Sequence, residues 1–105
     1  MNTLKAEKRN MTTKAKKLRR EGFVTGNLFG REMTESIPLQ MDKRAVDQLL
    51  KDEGKGGQIM LEVDGQTYDA LIKEVDYNPL KGYVDEIDFQ ALVSNEKFTL
   101  LLKYI

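Results

Sequence analysis

The residues best suited to chemistry in this chain are lysines and arginines gathered near its start. Nine of them fall within residues 1–31, against only Glu7 and Glu21, so this part carries seven net positive charges. Because the 105-residue chain is neutral as a whole, the remainder carries seven net negative charges. A basic surface on an acidic body is typical of polyanion-binding proteins. A basic end that only neutralises the acidic remainder would have the same composition, but the pattern favours binding.

Catalysis has little support in the composition. The chain contains no cysteine and no histidine, which excludes disulfides, thiol nucleophiles and the commonest general base at neutral pH. Asp85, Glu86 and Asp88 are oxygen ligands of the kind that hard cations prefer. In a strand, however, Asp85 points away from the other two, so we expect carboxylates exposed to water or paired with cations. We therefore predict a protein that is not an enzyme and that uses no metal or cofactor.

Length and hydropathy favour one soluble domain covering residues 1–105. A chain of this size fits one core. The first ten residues contain no apolar run of signal-peptide length, and no stretch approaches the roughly 20 apolar residues of a membrane span. We expect a cytoplasmic protein with no membrane partner.

A short helix should position the basic residues. Thr12 or Thr13 is suited to cap a helix that runs through Arg20 and ends at Gly22. At 100° per residue, the helix places Ala15 and Leu18 on one side and three cations on the other. These cations are Lys16, Lys17 and Arg20. The apolar pair should dock on the body of the protein, with the cations facing outward.

The rest of the chain has the pattern of a mainly β protein. Asp42 is suited to cap a second helix, residues 43–52, and Asp64-Gly65 is typical of a tight type I′ hairpin turn. We expect a loop over 76–82.

Strands are predicted over residues 3–9, 23–29, 36–41, 58–63, 66–75, 83–93 and 97–104. Six or so short strands with two or three small helices favour a small six-stranded β-barrel, because closure removes exposed sheet edges. A half-open α+β sandwich is the alternative.

Three parts of the sequence carry a family resemblance. The first is Lys17–Gly22 leading to Leu28–Gly30, the second is Leu71–Val75, and the third is Asn78–Gly82 leading to Ile87–Phe89. In this order and spacing they resemble the large-subunit ribosomal protein L-twenty-five family, which binds 5S ribosomal RNA and includes the general stress protein Ctc. The resemblance covers almost the whole chain.

The resemblance implies a six-stranded barrel docked onto 5S rRNA in the bacterial large ribosomal subunit, without cofactor or small-molecule substrate. Arg9, Lys16, Lys17 and Arg19 match basic RNA contacts of the family, and Phe29 matches a tyrosine near the RNA. Beside Leu28, Phe29 is also well suited to a core position. Together with the remaining cations, the candidate RNA-binding residues are Arg9, Lys14, Lys16, Lys17, Arg19, Arg20, Phe29 and Lys81. Off the ribosome we expect a monomer.

The sequence departs from the family in two places. Relatives carry Gln, Arg and His in the stretch matching residues 76–78, and His at the position of Glu86, whereas Asp76 and Glu86 are acidic here. A carboxylate that faces a phosphate could cost on the order of 1 kcal/mol or more of binding free energy. After the basic helix, Thr25 replaces a usual proline, and the local backbone geometry is expected to differ. These departures motivate an alternative function, a divergent member that has lost rRNA binding and acts as a stress-related or protein-binding module.

Overall fold

The structure is a computed structural model that describes residues 2–31 and 35–92. Within these residues it contains six strands and two helices, namely β1 (Thr3–Lys8), α1 (Ala15–Arg20), β2 (Phe23–Gly30), β3 (Ile37–Asp42), α2 (Lys43–Asp52), β4 (Gln58–Val63), β5 (Gln66–Asn78) and β6 (Tyr83–Ala91). The strands form a closed barrel in the order β1-β3-β2-β6-β5-β4. The predicted six-stranded barrel is confirmed, and the half-open sandwich is wrong. Neither helix in the described residues has the length and apolar character needed to cross a membrane.

Two parallel strand pairs close the barrel. β1 pairs with β4 through Leu4 and Leu61, and β2 pairs with β6 through Leu28 and Phe89, while the other neighbours are antiparallel. Alternate side chains of each strand point inward and form one core. Its largest members, each at most 2 % exposed, include Leu4, Leu28, Leu39, Ile59, Leu61, Ile72, Ile87 and Phe89. Each contributes about 1.5–3 kcal/mol through burial.

Two local predictions are confirmed by backbone geometry. Asp64 and Gly65 have positive φ angles of 47° and 88°, and they join β4 to β5 where Val63 pairs with Gln66. This is the conformation that a type I′ turn requires. Asp42 caps α2, because its carboxylate accepts a hydrogen bond from the backbone N–H of Arg44 at 2.8 Å.

The predicted cap of α1 is wrong. The N-cap residue is Lys14, which makes no capping hydrogen bond with its side chain. Thr12 instead donates its hydroxyl to the Asn10 Oδ1 atom at 2.6 Å, in the turn between β1 and α1. The competing local hydrogen bond removes the hydroxyl from the helix end.

The predicted loop over residues 76–82 is shorter than expected. β5 continues to Asn78, which pairs with Tyr83 of β6, so the chain turns only over residues 79–82. The Asn78 Oδ1 atom stabilises this turn by accepting hydrogen bonds from the backbone N–H groups of Leu80 and Lys81. β6 ends at Ala91, one residue before the end of the described range, so it is shorter than the predicted strand over 83–93. The predicted strand over 97–104 lies outside the described residues.

Candidate nucleic-acid interface

Helix α1 lies on the outside of β2 and presents most of its cations to solvent. Leu18 is 3 % exposed and packs against the barrel, whereas Lys16, Lys17 and Arg20 are exposed. Gly22 ends the helix with a φ of 94°, and its carbonyl accepts a hydrogen bond from the Lys43 N–H at 3.0 Å. The predicted division into a docked apolar side and a basic outer side is confirmed. Residues 9–20, from Arg9 to the end of α1, are called the basic segment below.

Arg19 differs from its neighbours, because its guanidinium group contacts the barrel. Its Nε atom donates to the Asp85 carbonyl oxygen at 3.1 Å, and its Nη2 atom donates to the Thr25 hydroxyl oxygen at 3.1 Å. Nη2 also lies 4.0 Å from the Glu86 carboxylate. These contacts tie the end of α1 to both β2 and β6.

Arg9 lies where β1 enters the basic segment and is partly buried. Its backbone N–H donates to the Pro38 carbonyl oxygen at 2.9 Å, and its Nη2 atom donates to the Thr13 carbonyl oxygen at 3.4 Å. The Nε atom is buried without a hydrogen-bond partner. Lys14, the N-cap residue of α1, is exposed. Of the predicted basic contacts in this segment, Lys14, Lys16, Lys17 and Arg20 are thus exposed, whereas Arg9 and Arg19 are partly buried.

Phe29 and Lys81 lie outside the basic segment. Phe29 is half-buried near the end of β2, beside Gln90 of β6. It is four residues beyond Thr25, a distance of roughly 13 Å along a strand. Lys81 is exposed in the 79–82 turn, and its Nζ atom lies 5.8 Å from the centre of the Tyr83 ring. Neither side chain is in the cluster around Arg19.

Four carboxylates occupy the outer face of β5 and β6, next to Arg19. In the ladder Asp76 pairs with Glu86, and Glu74 pairs with Asp88. We call Glu74, Asp76, Glu86 and Asp88 the acidic face. Like charges opposite each other weaken a sheet, and three of these carboxylates have polar partners. Arg19 lies 4.0 Å from Glu86, Lys55 lies 3.2 Å from Glu74, and Asn27 donates to Asp88 at 3.4 Å.

Burial raises the pKa of Glu86 above its ordinary value. Asp88 and Asp76 raise this pKa further by repulsion, whereas Arg19 and Arg9 lower it.

Asp85 does not belong to the acidic face. It accepts a hydrogen bond from the Asn78 side chain at 3.2 Å. Within residues 2–31 and 35–92, no group of three or more acidic residues is arranged to hold a metal ion.

The barrel, the docked basic helix and the order of the three sequence motifs can be compared with known proteins. The model of the ribosomal L25p family matches residues 4–89. The chain belongs to this family. The resemblance found in the sequence is therefore confirmed, and the family is one of structural ribosomal proteins and not of enzymes.

Individual relatives agree with this assignment. The large ribosomal subunit protein bL25 of Caldanaerobacter subterraneus subsp. tengcongensis is 35 % identical over 96 residues, which are 90 % of this chain and 48 % of the relative. The corresponding protein of Caldicellulosiruptor saccharolyticus is 36 % identical over 91 residues, 85 % of this chain and 44 % of the relative. General stress protein Ctc of Bacillus subtilis is 32 % identical over 98 residues, which are 91 % of this chain and 48 % of that protein. The chain thus spans about half the length of these relatives.

Sequence reasoning missed two residues that organise the site. Thr25 is 1 % exposed and Asp85 is partly buried, and both accept hydrogen bonds from Arg19. The sequence carries no signal that Asp85 contacts Arg19, because the two residues are 66 positions apart. The hydrogen bond also uses the backbone carbonyl of Asp85, a group that every residue type has.

Proposed function

We propose that this chain is a structural constituent of the large ribosomal subunit in the cytoplasm, where it binds 5S rRNA through its basic segment. The observation that carries the proposal is the outward side of α1, on which Lys16, Lys17 and Arg20 are exposed while Leu18 docks on β2. Ammonium and guanidinium groups presented in this way neutralise phosphates and fix the position of a protein on RNA. The chain acts by binding, without turnover, and is a monomer when free.

The other candidate contacts take secondary roles in this proposal. Lys14 and Arg9 extend the basic surface toward β1. Lys81 adds a cation at the 79–82 turn, and Phe29 lies beside the RNA at the far end of β2. The acidic face turns phosphate away from the outer surface of β5, so the contact is concentrated on the α1 side.

A salt-dependent titration tests this proposal. Purified protein is titrated into 5S rRNA from the same organism at several salt concentrations, beside a Lys16→Glu, Lys17→Glu double variant. Wild-type affinity should fall with salt with a log–log slope of about 0.7–0.9 per neutralised phosphate, and the double variant should lose measurable binding.

A matched control removes the same charge elsewhere. Lys51→Glu with Lys73→Glu changes two exposed lysines on α2 and β5 and should retain most of the affinity. Unchanged binding by the double variant in α1, or equal loss in both double variants, would contradict a contact centred on α1.

A second candidate function is supported by the acidic face and by the name of the Ctc relative, a general stress protein. In that case the barrel is retained, but the chain binds a protein partner off the ribosome. Sedimentation of washed ribosomes distinguishes the two functions. One copy per large subunit supports the ribosomal role, and absence from ribosomes together with no binding to 5S rRNA supports the second.

A further inference from the structure

Arg19 belongs to the basic segment by sequence but not by the direction of its side chain. Its side chain is three-quarters buried, with 26 % of the side-chain surface exposed. Two of its nitrogen atoms donate hydrogen bonds to the barrel, to the Asp85 carbonyl and to the Thr25 hydroxyl. Arg20, the next residue of α1, is exposed. Two adjacent arginines therefore occupy opposite environments.

A β-bulge provides one acceptor for Arg19. The ladder between β5 and β6 pairs Asp76 with Glu86 and Tyr77 with Val84, so Asp85 has no opposite residue on β5. A bulged residue leaves a backbone group outside the ladder, and here the Asp85 carbonyl oxygen accepts the Nε–H of Arg19. The other acceptor is a buried hydroxyl, since Thr25 is only 1 % exposed. The Thr25 hydroxyl also donates to the Asp85 carbonyl oxygen, at 3.5 Å. Loss of Arg19 would therefore remove one of the donors to that carbonyl and the donor to the Thr25 hydroxyl.

Helix α1 depends on contacts with the barrel. It contains six residues and has no side-chain cap, and a helix of this length is unstable in isolation. Leu18 supplies apolar contact, which resists separation but fixes rotation poorly. The forked guanidinium of Arg19 joins α1 to β2 and β6 at defined distances, and so fixes the direction in which the opposite side of the helix points.

We infer that Arg19 is a positioning residue, which locks α1 onto Thr25 and the Asp85 bulge so that Lys16, Lys17 and Arg20 face the RNA, and does not itself neutralise a phosphate. This inference rests on the proposed function. It divides the basic segment into cations that contact RNA and one that orients them.

Four variants distinguish a residue that orients α1 from a residue that contacts an RNA phosphate. Arg19→Lys and Arg19→Ala are compared with Arg20→Lys and Arg20→Ala, the matched pair on the exposed side of the same helix. Lysine keeps the positive charge but lacks the rigid fork that reaches two acceptors at once. The readouts are the affinity for 5S rRNA, the slope of log affinity against log salt, and hydrogen exchange of the α1 amides at Leu18 and Glu21.

At position 19, both substitutions should weaken binding by about tenfold or more, the factor expected for one lost hydrogen bond to a charged group. The salt slope should stay that of the wild type, because no phosphate contact is removed, and exchange at Leu18 and Glu21 should increase. At position 20, Arg20→Ala should lower the slope by about 0.7–0.9, and Arg20→Lys should restore it.

Three results would overturn the inference. If Arg19→Lys binds like the wild type while Arg19→Ala lowers the slope, Arg19 is a phosphate contact. If both variants are less stable but bind RNA with wild-type affinity well below their melting temperature, Arg19 serves only the fold. If the wild type itself fails to bind 5S rRNA, the proposed function fails and this inference fails with it. The first two results are different, because in both of them the wild type binds and only the role of Arg19 is wrong.

Discussion

At the scale of single residues, carboxylates and guanidinium groups lie close enough to change one another's ionisation. Glu86 shows the consequence most clearly. Burial and repulsion from Asp88 and Asp76 raise its pKa more than Arg19 and Arg9 lower it. Its ionised form therefore costs the folded state free energy, and the stability associated with its protonated form is lost as pH rises through the folded-state pKa.

Glu86→Gln should consequently raise the melting temperature at pH 7 by a few degrees at most. The difference should shrink as pH falls and disappear below the ordinary carboxyl pKa of 4.5, where wild-type Glu86 is protonated in both states. Thermal unfolding followed by circular dichroism between pH 4 and pH 8 checks this. Glu7→Gln, at an exposed position of β1, is the control and should leave the melting temperature unchanged. A variant less stable than the wild type at pH 7 would show that the pairing of Glu86 with Arg19 dominates.

At the scale of elements, the parallel pairing of β2 with β6 depends on close approach at Gly26. A Cβ atom at this position would overlap the Ile87 carbonyl oxygen and lie 3.2 Å from the Met41 side chain. The overlapping Ile87 atoms belong to the backbone of β6, so they cannot move aside without disturbing the ladder. A glycine in a strand often marks such an approach.

Gly26→Ala should therefore destabilise the protein by about 1–3 kcal/mol, the usual cost of overpacking a core. Urea denaturation provides the measurement. Gly54→Ala is the matched control, because a Cβ atom there meets nothing within 4 Å, and its stability should be equal to that of the wild type or higher by up to about 1 kcal/mol. Equal effects of the two substitutions would show that β2 and β6 can separate without loss.

At the scale of the whole molecule, one core of the described residues joins the six strands and α2. It includes Leu4 of β1, Val46 of α2, Leu61 of β4 and Phe89 of β6. We propose that residues 1–105 form one domain, and we expect it to unfold in one cooperative transition, because no part of the barrel buries a core of its own. Urea midpoints from far-ultraviolet circular dichroism and from tyrosine signals should coincide. Two separate unfolding transitions would contradict this prediction and would show that the chain contains independently stable units.

The sequence by itself determined the features that depend on near neighbours. Alternation in β4, the Asp64-Gly65 turn, the Asp42 cap and the docked side of α1 were all predictable, because each arises from backbone preferences or from a hydrogen bond within a few residues. The order of three short motifs was also enough to identify the family. From these elements the barrel followed as the arrangement without exposed edges.

The tertiary structure decided which charges meet. The sequence placed Arg19 and Arg20 together among the candidate RNA-binding residues, yet Arg19 contacts Asp85 and Thr25 because β6 returns beside β2 and carries a bulge at that point. The meeting of Asp76 with Glu86, and the extension of β5 through Asn78, depend on the same ladder register. Register between strands far apart in the chain is set by barrel closure and shared burial. Local residue types do not encode it, and so the division of the basic segment into exposed cations and one anchored arginine appeared only in the folded molecule.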